Sequence, residues 1–301
     1  MYTIGVDGGG TKTKFVLLDE KTQMIESVEL GTCHFMQVGF EGLEKIIAEG
    51  LEILLGKAQL GAKDIGRVGL GIAGYGRVKE IASNIEKAMA KACKAYEYYL
   101  FNDVEIAHAG ALNNQDGIVV IAGTGSIAFG KSNGKTQRTG GWGFQMGDEG
   151  SAYWIGKKSL ELYGKQADGR LPKSALYYQF MDKYQLTNAY DMIRVVGQDL
   201  KGERGAIAQL AKLCHQAALD KDEAALKIFD EAGYELAQMI NALVPLFEKE
   251  VVKASYIGGV FKSGPIITEA VQRHLLPQIQ WQAPLFEAEI GAALLAKERE
   301  E

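Results

Sequence analysis

The stretch Asp7-Gly8-Gly9-Gly10-Thr11-Lys12-Thr13 decides the predicted fold, because a second stretch, Ala122-Gly123-Thr124-Gly125-Ser126, repeats its pattern about a domain's length later. Short apolar runs flank both stretches, so each predicts a strand, a tight turn and a second strand. Glycine lets the backbone approach a ligand closely and tolerates positive φ, and Thr and Ser add hydroxyl donors. Two such turns on two similar lobes predict that one polyphosphate is held between them.

The composition is that of a globular protein large enough for two domains. The 301 residues are 47% hydrophobic and 24% charged, with a formal net charge of -5 and no basic block. Nucleic acid and anionic membrane surfaces are therefore not expected as main partners. The three cysteines are Cys33, Cys93 and Cys214, and their spacing forms neither a disulfide framework nor a metal cluster. Without a signal segment or a long apolar stretch, the chain is predicted to be cytoplasmic.

The order of elements also repeats. Residues 2–32 read as three strands, followed by helix, strand, helix, strand and helix, which gives β-β-β-α-β-α-β-α up to about residue 114. From Gly117 the strand-turn-strand start recurs, with a third strand near residues 135–139. The middle of the chain, residues 150–250, is mostly helical. A strand at 255–258 and helices at 265–275 and 287–297 complete the prediction.

Two carboxylates in the first half are candidates for chemistry. Asp7, at the end of the first strand beside the glycine turn, can hold Mg²⁺ through water, or can instead satisfy its own turn. Lys12 and Lys14 can meet a phosphate, although solvated lysines on a hairpin are commoner. Asn102 and Glu105 form a capping-box pattern, which leaves Asp103 available to orient a hydroxyl and take its proton, or to complement the helix dipole.

The second half contains three glycine-rich segments. Gly123-x-Gly125-x-x-Ala128 matches a dinucleotide fingerprint, but a short strand follows it where that site needs a helix, so a second phosphate loop is favoured. The segment at residues 140–151 combines glycines, Trp142 and two carboxylates, a composition suited to a sugar; a compact loop with an internally bonded Asp148 is the alternative. Gly258-Gly259 ends a strand and can accept a flat nucleobase or simply form a turn.

Taken in order, these motifs resemble the sugar kinase/actin/heat-shock-70 ATPase superfamily, and more narrowly its BadF/BadG/BcrA/BcrD-type group, which contains N-acetylglucosamine kinase. The resemblance covers nearly the whole chain, and residues 140–154 are its most specific part. It implies an α/β fold of two ribonuclease-H-like (actin-like ATPase) lobes around an interdomain cleft. The lobes are expected at residues 1–114, joined by a returning helix at 287–301, and at 115–286.

The resemblance also implies roles for single residues. Asp103 is the expected catalytic base and Asp7 the metal-binding residue, with ATP and Mg²⁺ as cofactors. The residues expected at the ATP phosphates are Gly8, Gly9, Gly10, Thr11, Lys12, Thr13, Gly123, Thr124, Gly125 and Ser126. Those expected at adenosine are Gly258, Gly259 and Val260. Those expected at the sugar are Cys33, His34, Asn102, Asp103, Thr124, Gly141, Trp142 and Asp148.

Cys33 departs from the family pattern, because the kinases compared commonly have an asparagine at this place that is associated with the sugar. Cysteine is a poor hydrogen-bonding substitute, so a related substrate such as N-acetylmuramic acid, with its 3-O-substituent, becomes a candidate beside N-acetylglucosamine. The expected activity is ATP-dependent phosphorylation of an N-acetylated amino sugar at its 6-hydroxyl, by a homodimer. Glucosamine kinase, an actin-like assembly module and an ATP-driven activator of a dehydratase or reductase are the alternatives; the activator needs cluster cysteines that this chain does not provide.

Overall fold

A computed structural model describes residues 1–76 and 78–299. Contacts divide the chain into two compact units: unit 1 comprises residues 1–116 and 283–301, and unit 2 comprises residues 117–282. The domain boundaries expected from the sequence, after residues 114 and 286, lie within a few residues of these divisions. The expected cleft between the lobes stays a prediction.

Unit 1 is built on a five-stranded sheet. Its elements are β1 (Tyr2–Gly8), β2 (Lys12–Leu18), β3 (Met24–Gly31), α1 (Phe35–Ala58), β4 (Ile65–Ile72), α2 (Lys79–Ala92), β5 (Tyr98–Asn102), α3 (Asp103–Leu112) and, after unit 2, α11 (Ala288–Lys297). The predicted order β-β-β-α-β-α-β-α is confirmed. The first two strands extend further into the glycine stretch than their apolar residues predicted, because the turn between them is tight.

Alternation along the strands of unit 1 gives the sheet two buried faces. Ile4 and Phe15 point into the core that also contains residues of α1 and α2, whereas Val16 and Leu18 pack with Ala293 of α11. Glycine makes the approach of α11 possible, since a Cβ atom on Gly5 would overlap the backbone of that helix. The C-terminal helix is therefore an integral part of unit 1.

Unit 2 repeats this plan and adds helices. Its elements are β6 (Gly117–Ala122), β7 (Ser126–Ser132), β8 (Lys135–Gly140), α4 (Ala152–Ala167), α5 (Ala175–Lys183), α6 (Met192–Arg194), α7 (Arg204–Gln209), α8 (Ala211–Leu219), α9 (Glu223–Asn241), β9 (Val252–Ile257), α10 (Pro265–Arg273) and β10 (Ile279–Trp281). The predicted helical middle is confirmed, and β10, three residues long, was missed. The core of unit 2 lies between the sheet and helices that include α4, α5, α8 and α9.

The two sheets have equivalent strand orders, β3-β2-β1-β4-β5 and β8-β7-β6-β9-β10. In each, an antiparallel meander of three strands continues into two parallel strands on the other side of the first strand. This duplication confirms the α/β class and the ribonuclease-H-like lobes that the resemblance implied. Within the described part of the chain, every helix falls short of the length and apolar character that a membrane span requires.

Candidate functional site

In unit 1, three strand ends bring the candidate residues together. The register pairs Gly8 of β1 with Ile72 of β4, and Ile72 with Asn102 of β5. Because β1, β4 and β5 are parallel, their carboxyl ends meet at one edge of the sheet, where ligands of open α/β sheets commonly bind. Asp7, the glycine turn after it and Asp103 therefore share this edge.

The first glycine turn is closed by its own backbone, with the Gly9 amide donating to the Lys12 carbonyl at 3.1 Å. None of Gly8, Gly9 and Gly10 has positive φ, so these glycines are needed for space rather than for left-handed backbone. A Cβ on Gly8 would lie 2.8 Å from the sulfur of Cys33, whereas the nearest atom to a Cβ on Gly10 would be 4.0 Å away. Gly8 is thus fixed by packing, and Gly10 is the open position where a ligand can approach.

Three side-chain hydrogen bonds brace the same turn. Thr32 Oγ1 donates to the Gly9 carbonyl at 2.9 Å, and Gln37 Nε2 donates to the Gly10 carbonyl at 2.7 Å. Thr13, an expected phosphate ligand, is fully buried, and its hydroxyl donates to the Gly31 carbonyl at 2.8 Å. Thr13 therefore has a structural bond in this state, while the exposed Thr11 keeps its side chain at the surface.

The two lysines of the hairpin have different partners. Lys12 Nζ lies 2.7 Å from Glu29 Oε2 in an exposed ion pair, which is the solvated arrangement that the sequence favoured. Lys14 Nζ lies 3.1 Å from Glu289 Oε1 of α11, and this pair is half-buried. Lys14 also lies opposite Asp7 in the register of the hairpin, so its positive charge interacts with that carboxylate.

Asp7 lies in a concentration of negative charge. Burial, the largest cause, together with the charges of Glu289 and Asp103 raises the pKa of Asp7 to about 7, although the charge of Lys14 opposes them. A carboxylate in these surroundings is suited to a divalent cation, which would relieve the repulsion. No group of three or more His, Cys, Asp or Glu side chains forms a complete metal site in residues 1–76 and 78–299. Mg²⁺ needs no such cage, because it commonly binds one or two carboxylates together with water and phosphate oxygens.

Asp103 is the first residue of α3 and Asn102 is its N-cap, which confirms the predicted capping box with Glu105. Asn102 Oδ1 accepts from the Val104 amide at 3.1 Å, and its Nδ2 donates to the Tyr75 carbonyl at 2.5 Å. Asp103 Oδ1 also accepts from the Val104 amide at 3.1 Å, and the side chain is partly exposed. The cap holds Asp103 at the helix start, beside the edge that carries Asp7.

The departure at Cys33 has a packing consequence. Its side chain is fully buried against Gly8, and burial raises the pKa of its thiol. In this state the sulfur is a core atom rather than a surface group, so its expected contact with a sugar stays a prediction. His34 is the N-cap of α1 and accepts from the Met36 amide through Nδ1 at 3.3 Å, with its ring stacked on Phe35.

In unit 2 the second glycine turn joins β6 to β7. The Gly123 amide donates to the Gly125 carbonyl at 2.9 Å, and the start of α4 is attached to the turn by a bond from the Ala152 amide to the Gly123 carbonyl at 2.8 Å. Gly123 has open space around it, and Thr124 is exposed, so both are available to a ligand. Ser126 is buried, and its hydroxyl donates to the Glu149 carbonyl at 2.6 Å.

The predicted sugar loop lies directly against this turn. Gly141 donates to the Ser126 carbonyl at 3.0 Å, and the Ser126 amide donates to Asp148 Oδ1 at 3.4 Å. Asp148 is only 3% exposed and pairs with Arg204, which lies outside the loop. Trp142 is 63% exposed and lies under the guanidinium of Arg138. The loop thus presents the aromatic face of Trp142 to solvent, while the Asp148 carboxylate is buried.

The predicted adenosine segment adjoins the same edge. Gly258 follows β9, which pairs in parallel with β6, and its φ of +118° is a conformation that glycine favours. A Cβ there would overlap the carbonyl oxygen of Ala122, so this glycine also permits close strand packing. Gly259 is exposed and open, whereas the Val260 side chain is buried, which leaves the backbone of Val260 for any ligand contact.

Sequence reasoning missed three contributors to these sites. Gln37 braces the first turn from the start of α1, Thr32 braces it from the segment between β3 and α1, and Arg204 reaches the second turn from α7. None lies in a motif, and each acts through contacts between segments that are distant along the chain, so local patterns carried no signal for them.

Known proteins resemble this chain along nearly its whole length. Residues 4–296 match the BadF/BadG/BcrA/BcrD ATPase family. An N-acetylmuramic acid/N-acetylglucosamine kinase of Clostridium acetobutylicum is 28% identical over 98% of this chain and 98% of its own. An N-acetyl-D-glucosamine kinase of Dictyostelium discoideum is 29% identical over 97% of each chain.

A solved structure from Chromobacterium violaceum, described as a candidate N-acetylglucosamine kinase, has 27% identity and a TM-score of 0.78, and 98% of each chain is covered. The actin-like ATPase fold of sugar kinases is thereby shown for this chain. Since the family match includes both units and every candidate residue described above, the chain belongs to the BadF/BadG/BcrA/BcrD ATPase family.

Proposed function

We propose that this chain transfers the γ-phosphoryl group of ATP to the 6-hydroxyl of an N-acetylated amino sugar, N-acetylglucosamine or N-acetylmuramic acid. The observation that carries the proposal is the common sheet edge in unit 1, where Asp103 begins a helix beside Asp7 and the open glycine turn. The kinases that are 28% and 29% identical to the chain act, by their names, on these amino sugars.

The reaction assigns roles to Asp103 and to the two glycine turns. The 6-hydroxyl oxygen forms a bond to the γ-phosphorus, the bond from that phosphorus to the β–γ bridging oxygen breaks, and ADP leaves. Asp103 orients the hydroxyl and accepts its proton late, because the transition state of phosphoryl transfer is loose. Gly10 and Thr11 in unit 1, and Gly123 and Thr124 in unit 2, offer accessible backbone and hydroxyl donors to phosphate oxygens.

Asp7 is proposed to hold Mg²⁺, which neutralises phosphate charge when bound. Its crowded carboxylate surroundings support this role. Gly258, Gly259 and the backbone of Val260 are proposed to contact adenosine. The residues proposed to contact the sugar, beside Asp103, are Cys33, His34, Asn102, Thr124, Gly141, Trp142 and Asp148. Cys33 also packs against Gly8.

The test is a panel of glucose, glucosamine, N-acetylglucosamine, N-acetylmannosamine and N-acetylmuramic acid with ATP and Mg²⁺. We expect ADP and a sugar phosphate in equal amounts with one or both of N-acetylglucosamine and N-acetylmuramic acid, with phosphorus coupled to the C6 protons by NMR. ADP formation that no sugar accelerates would contradict the proposal, and preferred turnover of glucosamine would favour the glucosamine kinase alternative.

The chain is further proposed to act as a homodimer in the cytoplasm. The family resemblance supports the dimer, and three buried, free cysteines suit a reducing compartment. Light scattering coupled to size exclusion tests the dimer, and a monomer at micromolar concentration would contradict it.

A further inference from the structure

Arg204 is the charged group of unit 2 that the proposed reaction does not yet use. It is the first residue of α7, and its Nη2 lies 2.6 Å from Asp148 Oδ2. The Asp148 side chain is 4% exposed and that of Arg204 38%. A carboxylate buried to this extent needs a charged or hydrogen-bonding partner, since an unpaired buried charge is costly.

The pair also occupies the space beside the second glycine turn. A Cβ atom on Gly125 would overlap the Arg204 guanidinium and would lie 2.8 Å from Asp148 Oδ2. Gly125 does not have positive φ, so its small size, and not its backbone freedom, is what the structure uses. Glycine at this position makes room for the ion pair on the turn.

Asp148 is bonded at both of its oxygens. Oδ2 meets Arg204, and Oδ1 accepts from the Ser126 amide at 3.4 Å. The residue itself has a φ of +61°, which is uncommon outside glycine and is retained when surrounding contacts enforce it. Asp148 therefore fastens the sugar loop to the turn through its side chain, beside the bonds that join Gly141 and the Glu149 carbonyl to Ser126.

The Arg204 guanidinium also contacts an aromatic ring of the sugar loop. It lies over the ring of Phe144, 5.9 Å from the ring centroid, and Phe144 belongs to the same loop. Its Nε is buried and has no hydrogen-bond partner among residues 1–76 and 78–299. A planar guanidinium can pair with a carboxylate and stack on a ring at once, which a lysine ammonium cannot do in the same way.

We propose that Arg204 is a positioning residue of the amino-sugar site, which holds the loop at residues 140–151 on the Gly123–Ser126 turn through Asp148. The proposal rests on the proposed function for its kinetic consequences. The turn keeps its own closure without Arg204, because the bonds that Gly123 makes to Gly125 and to Ala152 are formed by backbone atoms alone. Loss of Arg204 should therefore act on the sugar more than on ATP.

The kinetic experiment compares Arg204→Gln and Arg204→Lys with the wild-type chain. Arg204→Gln is expected to raise the KM for the amino sugar about tenfold or more and the KM for ATP by less than about threefold, because it removes the ionic partner of the buried Asp148 carboxylate. Arg204→Lys keeps the positive charge, so its KM for the amino sugar should lie between those of the wild type and Arg204→Gln. The matched control is Arg194→Gln, since Arg194 forms an exposed pair with Asp199 in the same unit, at 3.2 Å.

A double-mutant cycle with Asp148→Asn tests whether Arg204 acts through Asp148. Once Asp148 is neutral, Arg204→Gln should change the sugar KM by less than about twofold, because the two residues form one interacting unit. Additive effects in the cycle, or an ATP KM that rises as much as the sugar KM, would overturn the positioning role. A lower melting temperature with both KM values unchanged would show that the pair only stabilises the fold and would also overturn it.

Hydrogen–deuterium exchange on the ligand-free chain separates this proposal from the proposed function. Residues 141–150 should exchange faster in Arg204→Gln and Arg204→Lys than in the wild type or in Arg194→Gln, whichever substrate the protein uses. If the sugar panel fails but exchange rises as expected, the enzyme assignment is wrong and the fastening by Arg204 stands. Unchanged exchange in this segment would overturn the fastening even in an active kinase.

Discussion

A conservative substitution of Asp103 distinguishes a role in catalysis from a role in ATP binding. It begins α3 behind the Asn102 cap, so Asp103→Asn keeps the shape of the helix start and removes the proton acceptor. We expect kcat for sugar phosphorylation to fall about 10²–10⁴-fold, the usual contribution of general base catalysis, with the Kd for ATP unchanged by calorimetry. Asp64→Asn is a matched control, because Asp64 caps a separate turn through a 2.8 Å bond from the Gly61 amide. Near-normal turnover of Asp103→Asn would refute the catalytic role.

Alanine substitutions at two glycines of the first turn should affect different properties, stability at Gly8 and ATP binding at Gly10. In Gly8→Ala the new methyl group would lie 2.8 Å from Cys33 Sγ and 2.9 Å from Ile72 Cδ1, both buried, so overpacking should lower the free energy of unfolding by about 1–3 kcal/mol. In Gly10→Ala the nearest atom is 4.0 Å away, so stability should hardly change. Its methyl group would instead face the expected phosphate, and the KM for ATP should rise.

Urea unfolding and ATP kinetics on both variants check this contrast. A Gly10→Ala protein with unchanged KM for ATP would remove the first turn from the phosphate site. A Gly8→Ala protein as stable as the wild type would show that Cys33 and Ile72 can shift without loss.

The long helix α1 is bent near its start. Gly39 has φ +70° and ψ 174°, a conformation essentially restricted to glycine, and it separates the turn that carries Gln37 from the rest of the helix. That bend leaves Gln37 at the Gly10 carbonyl, where it braces the first glycine turn. The helix therefore serves both the core and the candidate site.

Alanine in α1 should reveal this bend. Gly39→Ala has open space for its methyl group but forces an alanine into a disallowed backbone region, so it should destabilise unit 1 by about 1–3 kcal/mol. Gly56→Ala, in the regular part of the same helix and also with open space, should be neutral or stabilise by about 0.5–1 kcal/mol. Thermal and urea unfolding compare the two. Equal effects would mean that the backbone at Gly39 relaxes into an ordinary helix.

The elements also show how far sequence patterns reach. Apolar runs predicted most strands of the two sheets, and the Asn102–Glu105 capping box was confirmed, because these signals are local. The apolar pattern predicted a helix only over residues 41–55, so the turn before the bend at Gly39 was missed. The strand β10 is too short to show alternation, and its pairing with β9 depends on the fold. The glycine turns were located correctly. Which of their glycines are required by close packing could not be predicted, because the neighbouring atoms come from distant parts of the chain.

Each of the two units buries a cysteine that resists ionisation. Burial raises the pKa of Cys93 in unit 1 from 9.0 to about 12, and burial is also the largest cause that raises the pKa of Cys214 in unit 2 to about 12. Above pH 9 the unfolded chain loses these thiol protons while the folded chain keeps them. The unfolded state then binds fewer protons, so the free energy of unfolding must fall as pH rises from 9 toward 12.

Replacing each cysteine should flatten this fall in its own unit. The three tryptophans, Trp142, Trp154 and Trp281, all belong to unit 2, so fluorescence follows that unit while circular dichroism follows both. In urea unfolding between pH 8 and 11, Cys214→Ala should reduce the slope of stability against pH by fluorescence. Cys93→Ala should leave that slope unchanged and reduce the one obtained by circular dichroism. Identical slopes in both variants and the wild type would mean that these thiols ionise in the folded protein as readily as in the unfolded chain.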